Sequence, residues 1–154
     1  MTIYYLDASA LVKRYLWEPG SRWLREMFDR SGQVALSSTA LIAVEVVCAL
    51  TRAERDNRIS RTRRDKLANL FLAEVKTLLD AVPVSADILQ NANQLALRHP
   101  LRAYDAIHLA TAQELAGRLT WHGLPAPTFV SADGNLLTAA RAEGLAVANP
   151  NEHE

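Results

Sequence analysis

Short apolar runs alternate with longer helical segments from one end of this chain to the other, and that alternation constrains the fold more than any single motif. Thr2-Ile3-Tyr4-Tyr5-Leu6 is β-branched and aromatic and reads as a buried strand, handing over at Asp7 to a helical pattern over Ala8–Leu16. Pro19 and Gly20 break the chain, and Ser21 is placed to cap a helix to about Arg30 with Trp23, Leu24, Met27 and Phe28 at helical spacing. A short strand is expected over Gln33–Leu36. Ser37, Ser38 and Thr39 offer N-caps for the helix that carries Glu45, which stops around Asn57–Ser60. The next helix shows one apolar stripe of Leu67, Leu70, Phe71, Val75, Leu78, Leu79 and Val82. Val82-Pro83-Val84 reads as a short extended piece. Ser85 or Asp87 then caps a helix holding Ile88, Leu89, Ala92, Leu95 and Ala96, and Pro100 interrupts. A helix over Ala103–Gly117, a long loop over Arg118–Pro127, a strand over Thr128–Ser131, a helix over Leu136–Glu143 ended by Gly144, and a last strand over Leu145–Val147 complete the pattern. Strands separated by helices predict a three-layer α/β/α sandwich with a mainly parallel central sheet. In such sheets ligands collect beyond the carboxyl ends of the strands, where the strand order reverses.

At 154 residues and 49% hydrophobic content there is material for one core, so a single domain is expected over residues 1–150 with a short tail at 151–154. Its 17 basic and 17 acidic residues cancel, so any site for a polyanion must be a local patch. The lone Cys48 excludes an intramolecular disulfide and a multi-cysteine zinc site, which fits a reducing cytoplasm. No stretch approaches the ~20 apolar residues of a membrane span, and no signal peptide is expected.

Four acids stand where carboxylates are awkward. Asp7 ends an apolar strand, Asp105 opens an apolar helical stretch, and Asp133 follows a strand-like run at a turn. Glu45 is the one charge in Ala40–Leu50, with Leu41, Ile42, Cys48 and Ala49 around it at helical spacing. Each has an ordinary explanation: Asp7 and Asp105 as helix caps, Asp133 as a turn residue, Glu45 as a side chain reaching solvent. Gathered together they would instead form a pocket for divalent cations, since Mg²⁺ and Mn²⁺ prefer hard oxygen ligands and two such ions ~4 Å apart can clamp a phosphodiester. A phosphatase of the haloacid-dehalogenase type would want a second Asp where Ser9 stands, and a receiver domain would need paired N-terminal acids. Neither fits.

Leu6-Asp7-Ala8-Ser9 through Lys13, Glu45 in its apolar helix, Tyr104-Asp105-Ala106-Ile107-His108 through Ala112, and Phe129-Val130-Ser131-Ala132-Asp133 together resemble the PIN-domain ribonucleases, in particular the VapC-type toxins of bacterial toxin–antitoxin pairs. The resemblance spans nearly the whole chain. It implies an endoribonuclease dependent on Mg²⁺ or Mn²⁺, usually dimeric, inhibited by an antitoxin, and leaving a 5′-phosphate and a 3′-hydroxyl. By position it implies that Asp7, Glu45 and Asp105 are the core acids, Asp133 the fourth and more variable one, and Ser9 and Ser131 the supporting hydroxyls. Gly134-Asn135 and the long loop depart from the family pattern and bear on substrate contacts. The alternatives are a PIN-like nuclease of RNA processing outside a toxin–antitoxin pair and a catalytically silent binding module; the presence of all four acids argues against the latter.

Arg52–Lys66 is the basic cluster, in which Arg61, Arg63 and Arg64 are candidates for RNA phosphate contacts beside Lys13 and Arg14. Interleaved Glu54, Asp56 and Asp65 fit a solvated turn equally well. His108 shares a helical face with Asp105 and is expected to be a packed or hydrogen-bonded residue rather than a general base. Tyr15, Trp17, Trp23 and Met27 fit either a groove for a partner helix or the core.

Overall fold

The computed structural model describes residues 1–30 and 32–154. Five strands, β1 (Thr2–Leu6), β2 (Val34–Thr39), β3 (Asp80–Val82), β4 (Thr128–Val130) and β5 (Val147–Ala148), form one sheet in the order β3-β2-β1-β4-β5, with every pairing parallel. Among the described residues seven α-helices connect them: α1 (Ala8–Leu11), α2 (Ser21–Asp29), α3 (Ile42–Arg55), α4 (Arg61–Leu78), α5 (Ala86–Arg98), α6 (Ala103–Trp121) and α7 (Gly134–Ala142).

The three layers follow from the two-residue period of a strand. On β1 Leu6 joins a core with Leu11, Leu24, Ile42, Val46, Leu50, Phe71 and Val75 from α1–α4, whereas its neighbour Tyr5 joins Ile88, Leu95, Leu109 and Leu136 from α5–α7. Val130 and Phe129 divide between the same two cores on β4. Both faces of the sheet are therefore covered, which is why its strands read as continuous apolar runs. The chain runs outward from β1 through β2 to β3 and then returns to place β4 on the other side of β1, so the strand order reverses between β1 and β4.

Several boundaries differ from the sequence expectation. The helix after Asp7 is α-helical only to Leu11 and continues as a 3₁₀ turn over Val12–Arg14. Strand β2 runs on to Thr39, so Ser37, Ser38 and Thr39 are strand residues and not caps of α3, whose N-cap Leu41 makes no side-chain bond. Their pairing with Asp80, Ala81 and Val82 of β3 explains this, together with the Ser38 hydroxyl, which donates to the Leu6 carbonyl at 2.6 Å. The end of the apolar stripe is accordingly strand: α4 stops at Leu78, and Val82 lies on β3. Helix α6 continues one turn past Gly117 to Trp121, which shortens the expected loop to residues 122–127.

The chain end folds back against α2, with Pro150 buried and residues 151–154 exposed. Pro150–Glu152 forms a 3₁₀ turn, and the His153 ring stacks on Trp23 with centroids 4.2 Å apart. Gly20 turns the chain into α2 at φ +83°, where any Cβ would overlap the Pro150 carbonyl. Tyr15 and Met27 are core residues, whereas Trp17 is exposed beneath the Arg25 guanidinium.

Candidate active site

Asp7 stands where β1 meets α1, at the reversal point. Only 4% exposed, its carboxylate is the N-cap of α1: Oδ1 accepts from the Ala10 N–H at 2.9 Å and lies 2.8 Å from Ser9 Oγ, while Oδ2 accepts from Ser131 Oγ at 2.6 Å. The two hydroxyls also look the other way. Ser9 Oγ accepts from the Ala132 N–H at 2.9 Å and Ser131 Oγ from the Asp133 N–H at 3.0 Å. Ser9 and Ser131 thus tie the segment after β4 to Asp7, and so fix where Asp133 begins α7. Burial pushes the Asp7 pKa above the ordinary carboxylate value, opposed by the nearby His108 and by these hydrogen bonds.

Asp133 caps α7, Oδ1 accepting from the Asn135 and Leu136 N–H groups at 2.9 and 3.3 Å. Asp105 lies in the first turn of α6, and its pKa is raised by burial first and then by the charges of Asp133 and Asp7.

Glu45 is in the first turn of α3. Its Oε1 lies 2.8 Å from His108 Nε2, and His108 Nδ1 lies 3.0 Å from the Tyr5 hydroxyl. Tyr5 is fully buried, and burial raises its pKa well above the usual phenol value, so it stays protonated. The apolar setting that makes Glu45 costly in sequence is relieved by His108 and by the helix face itself, since Val44 and Cys48 beside it are exposed rather than core.

Glu45, Asp105, Asp133 and Ser9 line one cleft of about 540 Å³ at the carboxyl end of the sheet. Among the described residues no three His, Cys, Asp or Glu side chains converge into a ready-made metal cage. A smaller cavity of about 420 Å³ lies at β3 and the end of α6 and holds none of the four acids.

The cations are arranged differently from the sequence expectation. Lys13 does line the cleft, but it is buried with Nζ 3.2 Å from Glu18. Arg14 lies over Phe28, its guanidinium 4.6 Å from the ring centroid, and pairs with Glu74, while Arg64 pairs with Glu54 and Asp65. Arg61 and Arg63 are exposed in the first turn of α4, and none of Arg14, Arg61, Arg63 and Arg64 is in the cleft wall. The basic residues that accompany Lys13 there are Arg52, Arg58 and Arg102. Arg52 was within reach of the sequence, seven positions after Glu45 on one helix; Arg102, just before the Tyr104-Asp105 motif, carried no separate signal.

A parallel sheet with acids at its reversal point defines a class of protein, and comparison with known proteins identifies it. The PIN domain family profile matches residues 4–141. This chain belongs to the PIN-domain family, with its VapC-type members. It is 34% identical over 151 residues to Ribonuclease VapC46 of Mycobacterium tuberculosis, covering 98% of this chain and 100% of that one. It is 32% identical to Ribonuclease VapC49 of the same species, covering 96% of both chains. In fold it is similar to the crystal structure of FitAcB from Neisseria gonorrhoeae, with a TM-score of 0.65 at 19% identity over 99% of this chain and 100% of that one.

Proposed function

We propose that this protein is a metal-dependent endoribonuclease that cuts RNA phosphodiester bonds as the toxin of a toxin–antitoxin pair, and that a cognate antitoxin restrains it. Membership of the family whose curated members are named Ribonuclease VapC supports this reading, as does the structural neighbour solved as VapBC2 of Rickettsia felis on promoter DNA. The observation that carries it is the gathering of Glu45, Asp105 and Asp133 in the wall of one cleft, with Asp7 buried at the end of β1 and tied through Ser131 to the segment that starts at Asp133. Work as a homodimer in the cytoplasm belongs to the same reading. Among the described residues no helix is long and apolar enough to cross a membrane.

The donor set suits Mg²⁺ or Mn²⁺: it consists of carboxylate oxygens, hard ligands whose repulsion a cation relieves. With no ready-made cage, water would complete the coordination, as Mg²⁺ ordinarily requires. A bound ion would acidify water and offset the charge that builds on the phosphoryl oxygens. Asp105, Asp133 and Asp7 are the residues to hold it, Asp7 being fixed in place by Ser9, Ser131 and the start of α1. The His108 bond holds Glu45 in one position at the cleft wall. Arg52 and Arg102, which form no ion pair among the described residues, supply positive charge for the RNA backbone, whereas Lys13 and Arg58 in the same wall pair with Glu18.

Cleavage of total RNA with Mn²⁺, with cut sites mapped, tests the proposal. The wild-type protein should produce discrete cuts that EDTA abolishes, and Asp7→Asn should lose at least about 100-fold in rate, the scale of removing an electrostatic contact at a reacting centre. Undiminished cutting by a folded Asp7→Asn protein would refute the assignment.

A further inference from the structure

Two exposed apolar side chains stand beside the acids of the cleft. Tyr104 is 54% exposed and immediately precedes Asp105 in the first turn of α6; Val44 is 53% exposed and immediately precedes Glu45 in the first turn of α3. Both line the cleft. Among the described residues Tyr104 has no hydrogen-bond partner for its hydroxyl and no aromatic neighbour, so nothing in the fold accounts for its position. Arg102, two residues earlier and likewise exposed, lines the same cleft and forms no ion pair among the described residues. One end of one helix therefore presents an aromatic ring, a cation and an acid of the metal-holding set.

A ligand that satisfies all three has a flat apolar face next to a negative charge, which describes a nucleotide. In an RNA duplex the base faces are already stacked on one another, and the deep major groove keeps side chains from the base edges. Only an unpaired base can offer its face to an aromatic ring.

We propose that Tyr104 is a substrate-contacting residue that stacks on an unpaired base next to the cleaved phosphate, with Arg102 on a neighbouring phosphate. This rests on the ribonuclease reading above and adds the part of the substrate that the acids do not read.

The test uses a single-stranded RNA containing a site mapped from the total-RNA experiment. The same strand is prepared annealed to its complement, and with an abasic nucleotide on either side of the cut. With the wild-type protein, annealing should suppress cleavage, and one abasic position should lower kcat/KM by about 5-fold to about 100-fold, the worth of one stacked base. Tyr104→Ala should lower kcat/KM on the intact strand by a similar factor and be indifferent to that abasic change, and Tyr104→Phe should restore most of the loss. Equal sensitivity of the wild-type and Tyr104→Ala proteins to base removal would overturn the proposal, as would efficient cutting of the annealed strand. Failure of the underlying reading looks different: Asp7→Asn would cut as well as wild type. In that event, fluorescence of a 2-aminopurine RNA bound in EDTA decides the stacking separately, with Tyr104-dependent quenching supporting the seat and its absence overturning it.

Discussion

Glu45 shows how much one side chain's environment depends on residues far away in sequence. Its apolar neighbours mark it as costly, but the partner that holds it, His108, lies on another helix, and the other partner of His108, Tyr5, lies on the central strand. The acids were readable from the sequence because each interrupts an apolar pattern. The relay from Tyr5 through His108 was not, because its members meet only once both helical layers are in place. It carries a prediction. His108→Ala would strand a buried phenol and deprive Glu45 of its donor, costing about 2–4 kcal/mol from the unmet polar groups and the cavity together. Thermal unfolding should show that loss. His108→Gln can still donate to Glu45, so it should retain more cleavage activity than His108→Ala when both are assayed well below their melting temperatures. Equal activity of the two variants would mean that the imidazole does not position Glu45.

At the scale of elements, strong periodicity was readable, and the bounds of short pieces were less so. Of the two caps expected for helix α5, Ser85 and Asp87, the structure uses Ser85, whose hydroxyl accepts from the Ile88 N–H; cap and stripe are both local signals. Strand β3 has only three residues, too few to show a period, and the extended piece expected at Val82-Pro83-Val84 meets it only at Val82. Where the cations lie is likewise a property of elements: Arg52 faces the cleft from α3, whereas Arg61 and Arg63 start α4 outside it. RNA binding separates the two sets through its salt dependence. Removing one cation that neutralises a phosphate of a single strand should reduce the slope of log K against log salt by about 0.7. Arg52→Gln and Arg102→Gln should each flatten the slope by roughly that amount in titrations against single-stranded RNA, and Arg61→Gln with Arg63→Gln should leave it unchanged. The reverse pattern would assign RNA to the α3–α4 turn.

For the whole molecule, alternation of strands and helices was enough to give a parallel sheet covered on both faces, since a parallel connection needs a crossover and a crossover fills a layer. It could not show how the helices of one layer are held to each other. On the α5–α7 side much of that falls to Glu143, at the end of α7, whose carboxylate accepts from Arg98 at 3.0 Å, lies 2.6 Å from His99 Nε2 and accepts from Gln113 of α6 at 3.2 Å. The bond to His99, followed by those to Arg98 and Gln113, holds its pKa below the usual carboxylate value. A depressed native pKa contributes stability that is fully present above the unfolded-state value and disappears as pH falls through the native one. Asp7 and Asp105 act in the opposite direction: their raised pKa values mean that the metal-free protein loses stability as pH rises through them. Glu143→Gln isolates the first effect. Melting temperatures of wild type and Glu143→Gln in EDTA should differ most near neutral pH, with the variant lower, and should converge as pH falls below the ordinary carboxylate range. A gap that stays constant across that pH range would show that Glu143 holds the layer by packing alone, without its charge.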